Sequence, residues 1–179
     1  MHTTLRTAIF CGLVASAAAH FKIANPETRG FNSQVEPTAP CGGYDTANKD
    51  RIYNFPLTGG NITLSIEDGQ GSLTFAYASG ESSQTFQSLN ITTPYSAQSN
   101  PSLSQAINLT GIANPGDSGV LQVIAHVTGE ETLYQCSDIV VAAAGSPIQK
   151  VPSSSANSVS TVGPSALIAL SVTALSLSL

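Results

Sequence analysis

The stretch Asn61-Ile62-Thr63-Leu64-Ser65-Ile66 alternates polar and apolar side chains, which is the pattern of a β-strand with one buried face. Similar runs return at residues 72–78, 86–92 and 120–127, with Gly, Asn, Asp or Pro between them. The apolar run 139–144 predicts a further core strand, and no window carries a convincing helical stripe. The sequence therefore predicts an all-β fold, an antiparallel β-sandwich.

The segments on either side of these runs have a different composition. Residues 20–53 are rich in Pro, Gly and Asn, so we expect a long N-terminal loop region across one end of the sandwich, where function would reside. After Gln149 the chain turns to Ser, Val, Asn and Thr without aromatic residues, which is typical of a flexible stalk. One domain, residues 20–148, is expected.

The first nineteen residues have the layout of a secretory signal peptide. Arg6 precedes an apolar run at 8–14, and Ala17, Ala18 and Ala19 supply the small residues that signal peptidase requires. Cleavage would make His20 the first residue of the mature chain.

The other end has the layout of a glycosylphosphatidylinositol (GPI) signal. Small residues lead into a polar spacer within 149–163, and 164–179 ends in an uncharged apolar tail that anchoring would remove. The predicted attachment site is Ser154 or Ser155, and a retained tail-anchor is the alternative. We expect a lipoprotein on the extracellular face of the plasma membrane or in the cell wall.

The composition also bears on partners and on redox state. The net charge is −5 and no basic run occurs, so nucleic acid is not an expected partner. Loss of Cys11 with the signal peptide leaves Cys41 and Cys136, which should form one disulfide bond in a secreted glycoprotein. N-glycosylation is predicted at three acceptor sequences, those of Asn61, Asn90 and Asn108.

A free N-terminal His20 would be a metal chelator. Its α-amine and its ring Nδ1 can bind one ion together, and such nitrogen donors favour Cu(II) over Mg²⁺ or Ca²⁺. Binding displaces protons from both groups and therefore weakens as the pH falls. The alternative is a histidine left at the terminus by accident.

Several short sequence motifs, taken in their order along the chain, support a metal-binding role for His20. The chain carries His20-Phe21, Asn25-Pro26-Glu27-Thr28-Arg29-Gly30, Pro40-Cys41-Gly42-Gly43, Phe55-Pro56-Leu57, Gly59-Gly60 and Leu133-Tyr134-Gln135-Cys136-Ser137-Asp138. This set resembles the fungal copper-acquisition family related to lytic polysaccharide monooxygenases. The resemblance implies an immunoglobulin-like β-sandwich, a GPI anchor, and copper held without polysaccharide cleavage by a histidine brace of the N-terminal His, a second His and an Asp.

Matched residue by residue, the resemblance assigns His20 and Asp138 to the brace, and it gives the disulfide the role of holding Asp138 near the N-terminus. The second histidine is missing, and its expected position falls near Asp68, which could substitute as an oxygen ligand. His126 is the other mature histidine; strand alternation predicts that it lies on the surface, and turning toward the metal is the alternative.

Three functions follow from the sequence. The first is a non-catalytic copper-binding protein that passes copper to a membrane transporter. The second is a metal-free cell-wall or adhesion protein, which the missing histidine favours. The third, an oxidative polysaccharide-degrading enzyme, is disfavoured because the chain has no Trp and its five Tyr residues are scattered.

Overall fold

The protein folds as two β-sheets. The computed structural model describes residues 20–81 and 85–152. This part of the chain forms nine strands: β1 (Phe21–Asn25), β2 (Ile52–Pro56), β3 (Gly60–Ile66), β4 (Gln70–Ser79), β5 (Gln87–Ser96), β6 (Ser102–Ile107), β7 (Ser118–Val127), β8 (Thr132–Ala142) and β9 (Gln149–Lys150). Within it, no helix is long and apolar enough to cross a membrane. The predicted all-β fold is confirmed.

The strands pair in the order β1-β3-β6 in the smaller sheet and β5-β4-β7-β8-β2-β9 in the larger one. Neighbouring strands in the described residues are antiparallel, except for β2 and β8, which run parallel. The core lies between the two sheets and follows from the alternation of side chains along each strand. Inward-facing residues of both sheets are fully or almost fully buried, among them Ile62, Leu64, Leu121, Val123 and Ala125. Each large apolar side chain buried there contributes roughly 1.5–3 kcal/mol.

The N-terminal region is less irregular than predicted. Residues 20–53 include β1 and the start of β2, so only residues 26–51 form a loop without strands. Each of these two strands has five residues, which is too short for a clear alternating pattern.

Strand pairing continues just past residue 148. Strand β9 pairs with β2, and Val151 N–H donates to Ile52 O at 2.7 Å. The predicted signal peptide, Ser154, Ser155 and the apolar tail lie outside the described residues and stay predictions.

The loop 26–51 covers the face of the larger sheet that points away from the main core. Cys41 and Cys136 form the predicted disulfide bond, with their Cα atoms 5.1 Å apart. Both pack in a second small cluster with Ala78 and Val120. Strands β7 and β8 are therefore buried on both faces where this loop crosses them.

A buried ion pair attaches the same loop to β8. Arg29 Nε lies 3.0 Å from each carboxylate oxygen of Asp138, and Nη2 donates to Oδ1 at 2.7 Å. The backbone N–H of Asn48 donates to Oδ2 at 2.8 Å, and the other Arg29 nitrogens donate to carbonyls that include Asp45 O. The side chains of the pair are only 1% and 6% exposed.

Glu36 is the second buried charged residue of the loop. It is 2% exposed, and Oε1 accepts a hydrogen bond from Gln135 Nε2 at 2.9 Å. Among the described residues Oε2 has no hydrogen-bond partner. Burial raises the pKa of this carboxyl from 4.5 to about 7, against the lowering effect of the Gln135 hydrogen bond and of nearby His20.

The ion pair makes a stability prediction. Asp138→Asn leaves Arg29 buried without its counter-charge, so we expect a loss of about 3–5 kcal/mol in the free energy of unfolding, measured by urea denaturation. Lys49→Met is the control, because it removes an exposed pair with Glu81 at 3.9 Å and should cost less than about 1 kcal/mol. Equal losses in the two variants would contradict a stabilising role for the buried pair.

Glu36 makes a prediction about pH. Its folded pKa is raised, so between pH 4.5 and about 7 the folded protein holds a proton that the unfolded chain has lost. Stability should therefore fall as the pH rises through this window, by about 3 kcal/mol. In Glu36→Gln this part of the fall should disappear from urea denaturation curves at pH 5 and pH 8. A wild-type slope retained in that variant would assign the pH dependence to other groups.

Candidate metal centre

Strand pairing brings His20 and Asp68 together. Strand β1 is antiparallel to β3, and Phe21 lies opposite the last residue of β3. Glu67 N–H donates to His20 O at 2.9 Å, which extends the ladder by one residue and leaves Asp68 immediately beyond it. Gly69 then adopts a φ of 74°, and the chain turns into β4. The β1–β3 register thus sets the distance between the two candidate residues.

The contacts between His20 and Asp68 involve both nitrogens that the sequence singled out. The backbone N–H of His20 donates to Asp68 Oδ1, and the ring Nδ1 lies 3.7 Å from Oδ2. The two side chains are 18% and 52% exposed, so solvent reaches this spot. The ring of Phe31 meets the imidazole edge-on, with centroids 6.4 Å apart, and limits its orientation.

The donor atoms suit a borderline cation such as copper. One backbone nitrogen, one imidazole nitrogen and one carboxylate oxygen lie side by side, and the backbone nitrogen becomes an amine if the chain begins at His20. Across the two described segments, no three His, Cys, Asp or Glu residues are grouped so that they could hold a metal ion. A site here therefore depends on His20 supplying two donors.

The surroundings of His20 are acidic. Glu36 interacts electrostatically with His20 and with Glu67. Burial, and then the nearby carboxylates of Glu130, Asp68 and Glu36, raise the pKa of the Tyr95 hydroxyl to about 12. Such a collection of carboxylates favours a cation over an anion at this end of the sandwich.

The structure does not bring Asp138 together with His20. Its carboxylate accepts hydrogen bonds from Arg29 and Asn48, on the face of β8 covered by the loop. Gln135, an odd number of positions away in the same strand, points to the opposite face and contacts the β1 backbone. The disulfide bond thus holds the loop near Asp138 on one face of the larger sheet, while β1 lies on the opposite face.

His126 lies on the surface, as alternation predicted. It is exposed on β7, and its Nε2 is 3.2 Å from Thr74 Oγ1. In the β7–β8 ladder His126 lies opposite Thr132, whereas Asp138 lies opposite Val120 six positions away. His126 in β7 and Asp138 in β8 therefore lie six positions apart along this pair of strands.

The three predicted glycosylation sites are accessible. Asn61, Asn90 and Asn108 are all exposed. Asn90 adopts a φ of 56°, a left-handed conformation that Asn tolerates better than most residues. Glycan attachment at these positions stays a prediction.

Sequence reasoning gave no role to Glu36 or Gln135. For Gln135 a signal existed, because it occupies an inward position in β8 in line with Leu133 and Ile139, where a polar side chain needs a buried partner. Glu36 lies in an irregular loop, where no periodicity shows that its side chain turns inward.

Comparisons with known proteins agree with the resemblance. A family model described as copper acquisition factor BIM1-like matches residues 18–160. The copper acquisition factor BIM1 of Cryptococcus neoformans var. neoformans serotype D is 25% identical over 140 residues, covering 72% of this chain and 63% of that protein. The BIM1 protein of C. neoformans var. grubii serotype A is 25% identical over 149 residues, covering 76% and 67%.

A lytic polysaccharide monooxygenase of Jonesia denitrificans, studied by neutron crystallography, is among the similar solved structures. The TM-score is 0.41 at 15% sequence identity, covering 69% of this chain and 100% of that one. The family model spans most of the chain and includes both β-sheets and the His20–Asp68 contact. The chain therefore belongs to the family of BIM1-like copper acquisition factors.

Proposed function

We propose that the protein is a GPI-anchored cell-surface protein that binds Cu(II) and takes part in copper acquisition without a catalytic step of its own. The observation that carries the proposal is the contact of both His20 nitrogens with the Asp68 carboxylate at an accessible, acidic end of the sandwich. The relatives named copper acquisition factors support the choice of metal.

The proposed site uses the terminal amine and Nδ1 of His20 and one carboxylate oxygen of Asp68. Asp68 replaces the second histidine expected from the family resemblance, so the donor set is harder and its preference for copper is weaker. Because the amine and the imidazole must lose protons, binding should weaken as the pH falls.

The anchor and the partners belong to the same proposal. A glycolipid at Ser154 or Ser155 would hold the domain on the outer face of the plasma membrane, from where a transporter could take up copper. Cell-wall glycan is the alternative surface partner. The exposure of Asn61, Asn90 and Asn108 supports a secreted, glycosylated form.

One observation favours a second function. Only two candidate ligand residues meet at the site, and no group of three was found in the part of the chain that the structure describes. A diverged, metal-free cell-surface protein would show the same arrangement. Copper affinity separates the two functions.

The first test is the dependence of binding on His20. We expect one Cu(II) per mature chain, with nitrogen hyperfine structure in the electron paramagnetic resonance (EPR) spectrum. Binding should be lost in His20→Ala and in a chain extended by one residue, because each removes a donor. The exposed His126→Ala is the matched control and should bind as the wild type does. Affinity no greater than that of a free N-terminal histidine peptide would overturn the proposal in favour of the metal-free function.

The second test asks whether Asp68 is a ligand. Asp68→Asn should lower the Cu(II) affinity by about 10- to 100-fold in calorimetric titrations, which is the range for losing even an outer partner of a metal site. The neighbouring Glu67→Gln removes the same charge next to the site and should have a much smaller effect. Equal losses in both variants would mean that Asp68 acts through charge alone.

A further inference from the structure

The outer edge of β1, the one that faces away from β3, has no part in the metal-binding function proposed above. Strand β1 is at the edge of the smaller sheet, with β3 as its neighbour on one side. Along an antiparallel edge strand, alternate residues direct their backbone groups away from the neighbour. In β1 these residues are Phe21 and Ile23, which are 1% and 0% exposed, so their N–H and C=O groups need partners inside the protein.

The side-chain amide of Gln135, a residue of the larger sheet, hydrogen-bonds two of these four backbone groups. Gln135 Nε2 donates to Phe21 O, and Gln135 Oε1 accepts from Ile23 N at 3.1 Å. Thr28 N–H donates to Ile23 O at 3.2 Å. Gln135 thus pairs with β1 much as a neighbouring strand would, although it belongs to β8 in the other sheet.

Glu36 completes the arrangement. Its Oε1 accepts from the same Gln135 Nε2 that donates to Phe21 O, which fixes the orientation of the amide. Gln135 thus links the Glu36 carboxylate to the backbone carbonyl of Phe21, the residue that follows His20.

We propose that Glu36 and Gln135 are positioning residues for the His20 site. They hold the free edge of β1, so that the pairing of its other edge with β3 keeps His20 against Asp68. Neither residue binds the ion. This inference rests on the proposed function, because the positioned group is the proposed copper chelate.

The first experiment needs no metal. Gln135→Met keeps the side-chain length and removes both hydrogen bonds to β1. The matched control is Gln122→Met, which removes another buried glutamine amide, the one donating to Pro40 O at 2.8 Å from β7. We expect amide hydrogen exchange of Ile23 to become at least about tenfold faster relative to Leu64 in Gln135→Met, through local opening of β1, and to stay unchanged in Gln122→Met. Unchanged exchange in Gln135→Met would overturn the proposal.

The second experiment uses Cu(II) and the Glu36 side chain. Glu36→Gln can still accept the hydrogen bond from Gln135, whereas Glu36→Met cannot. Positioning therefore predicts wild-type affinity and EPR spectrum for Glu36→Gln, and weaker binding with altered nitrogen hyperfine structure for Glu36→Met and Gln135→Met. Equal losses in both Glu36 variants would overturn the proposal and assign Glu36 a role as charge or ligand.

The two experiments separate the failure of this inference from that of the proposed function. A wild-type protein that binds no Cu(II) overturns the proposed function and the positioning role at a copper site. A wild type that binds Cu(II), with Gln135→Met binding equally well, overturns only the inference. If Gln135→Met does not fold, the comparison of Glu36→Met with Glu36→Gln decides the same question.

Discussion

The pairing of both edges of β1 is the constraint on which the N-terminal site depends. A buried backbone group without a partner costs about 1–3 kcal/mol, so a short strand in the interior is stable only if both of its edges are satisfied. One edge pairs with β3, and this register places Asp68 beside His20. The other edge pairs with Gln135 and Thr28. His20 therefore directly precedes a strand that is fixed from two sides.

Strand β8 supports this arrangement because successive side chains point to opposite faces. On one face Gln135 contacts β1; on the other, Cys136 and Asp138 fasten the loop 26–51 through a disulfide bond and an ion pair. Removing a carboxylate from water is unfavourable unless it is fully paired, and Arg29 together with a backbone N–H supplies that pairing. Asp138 thus helps to attach the loop 26–51, which also carries Glu36, to β8.

The sequence could predict what depends on local pattern. Alternation identified β3, β4, β5 and β7, whereas Asp68 was reached through the family resemblance, by counting forward from Gly60 to the position of the missing histidine. Strands β1, β2 and β6 are five or six residues long and gave no pattern. The partner of Asp138 is 109 residues away, and Glu36 reaches Gln135 across 99 residues. Contacts at such separations depend on how the whole domain packs. The periodicity of the sequence carries no information about that packing.

Under the proposed function, the chemistry of the site also depends on processing. While His20 follows another residue, its nitrogen is an amide that donates a hydrogen bond to Asp68 and has no lone pair for a metal. After cleavage the same nitrogen is an amine, and in its protonated form it would be held by the same carboxylate. Copper must then displace a proton that Asp68 helps to retain, so Asp68 acts as competitor through the ammonium group and as ligand through its oxygen. A histidine in that position would not hold the ammonium ion, but it would have to lose a proton of its own before binding the metal, so the acidic replacement exchanges one source of pH dependence for another.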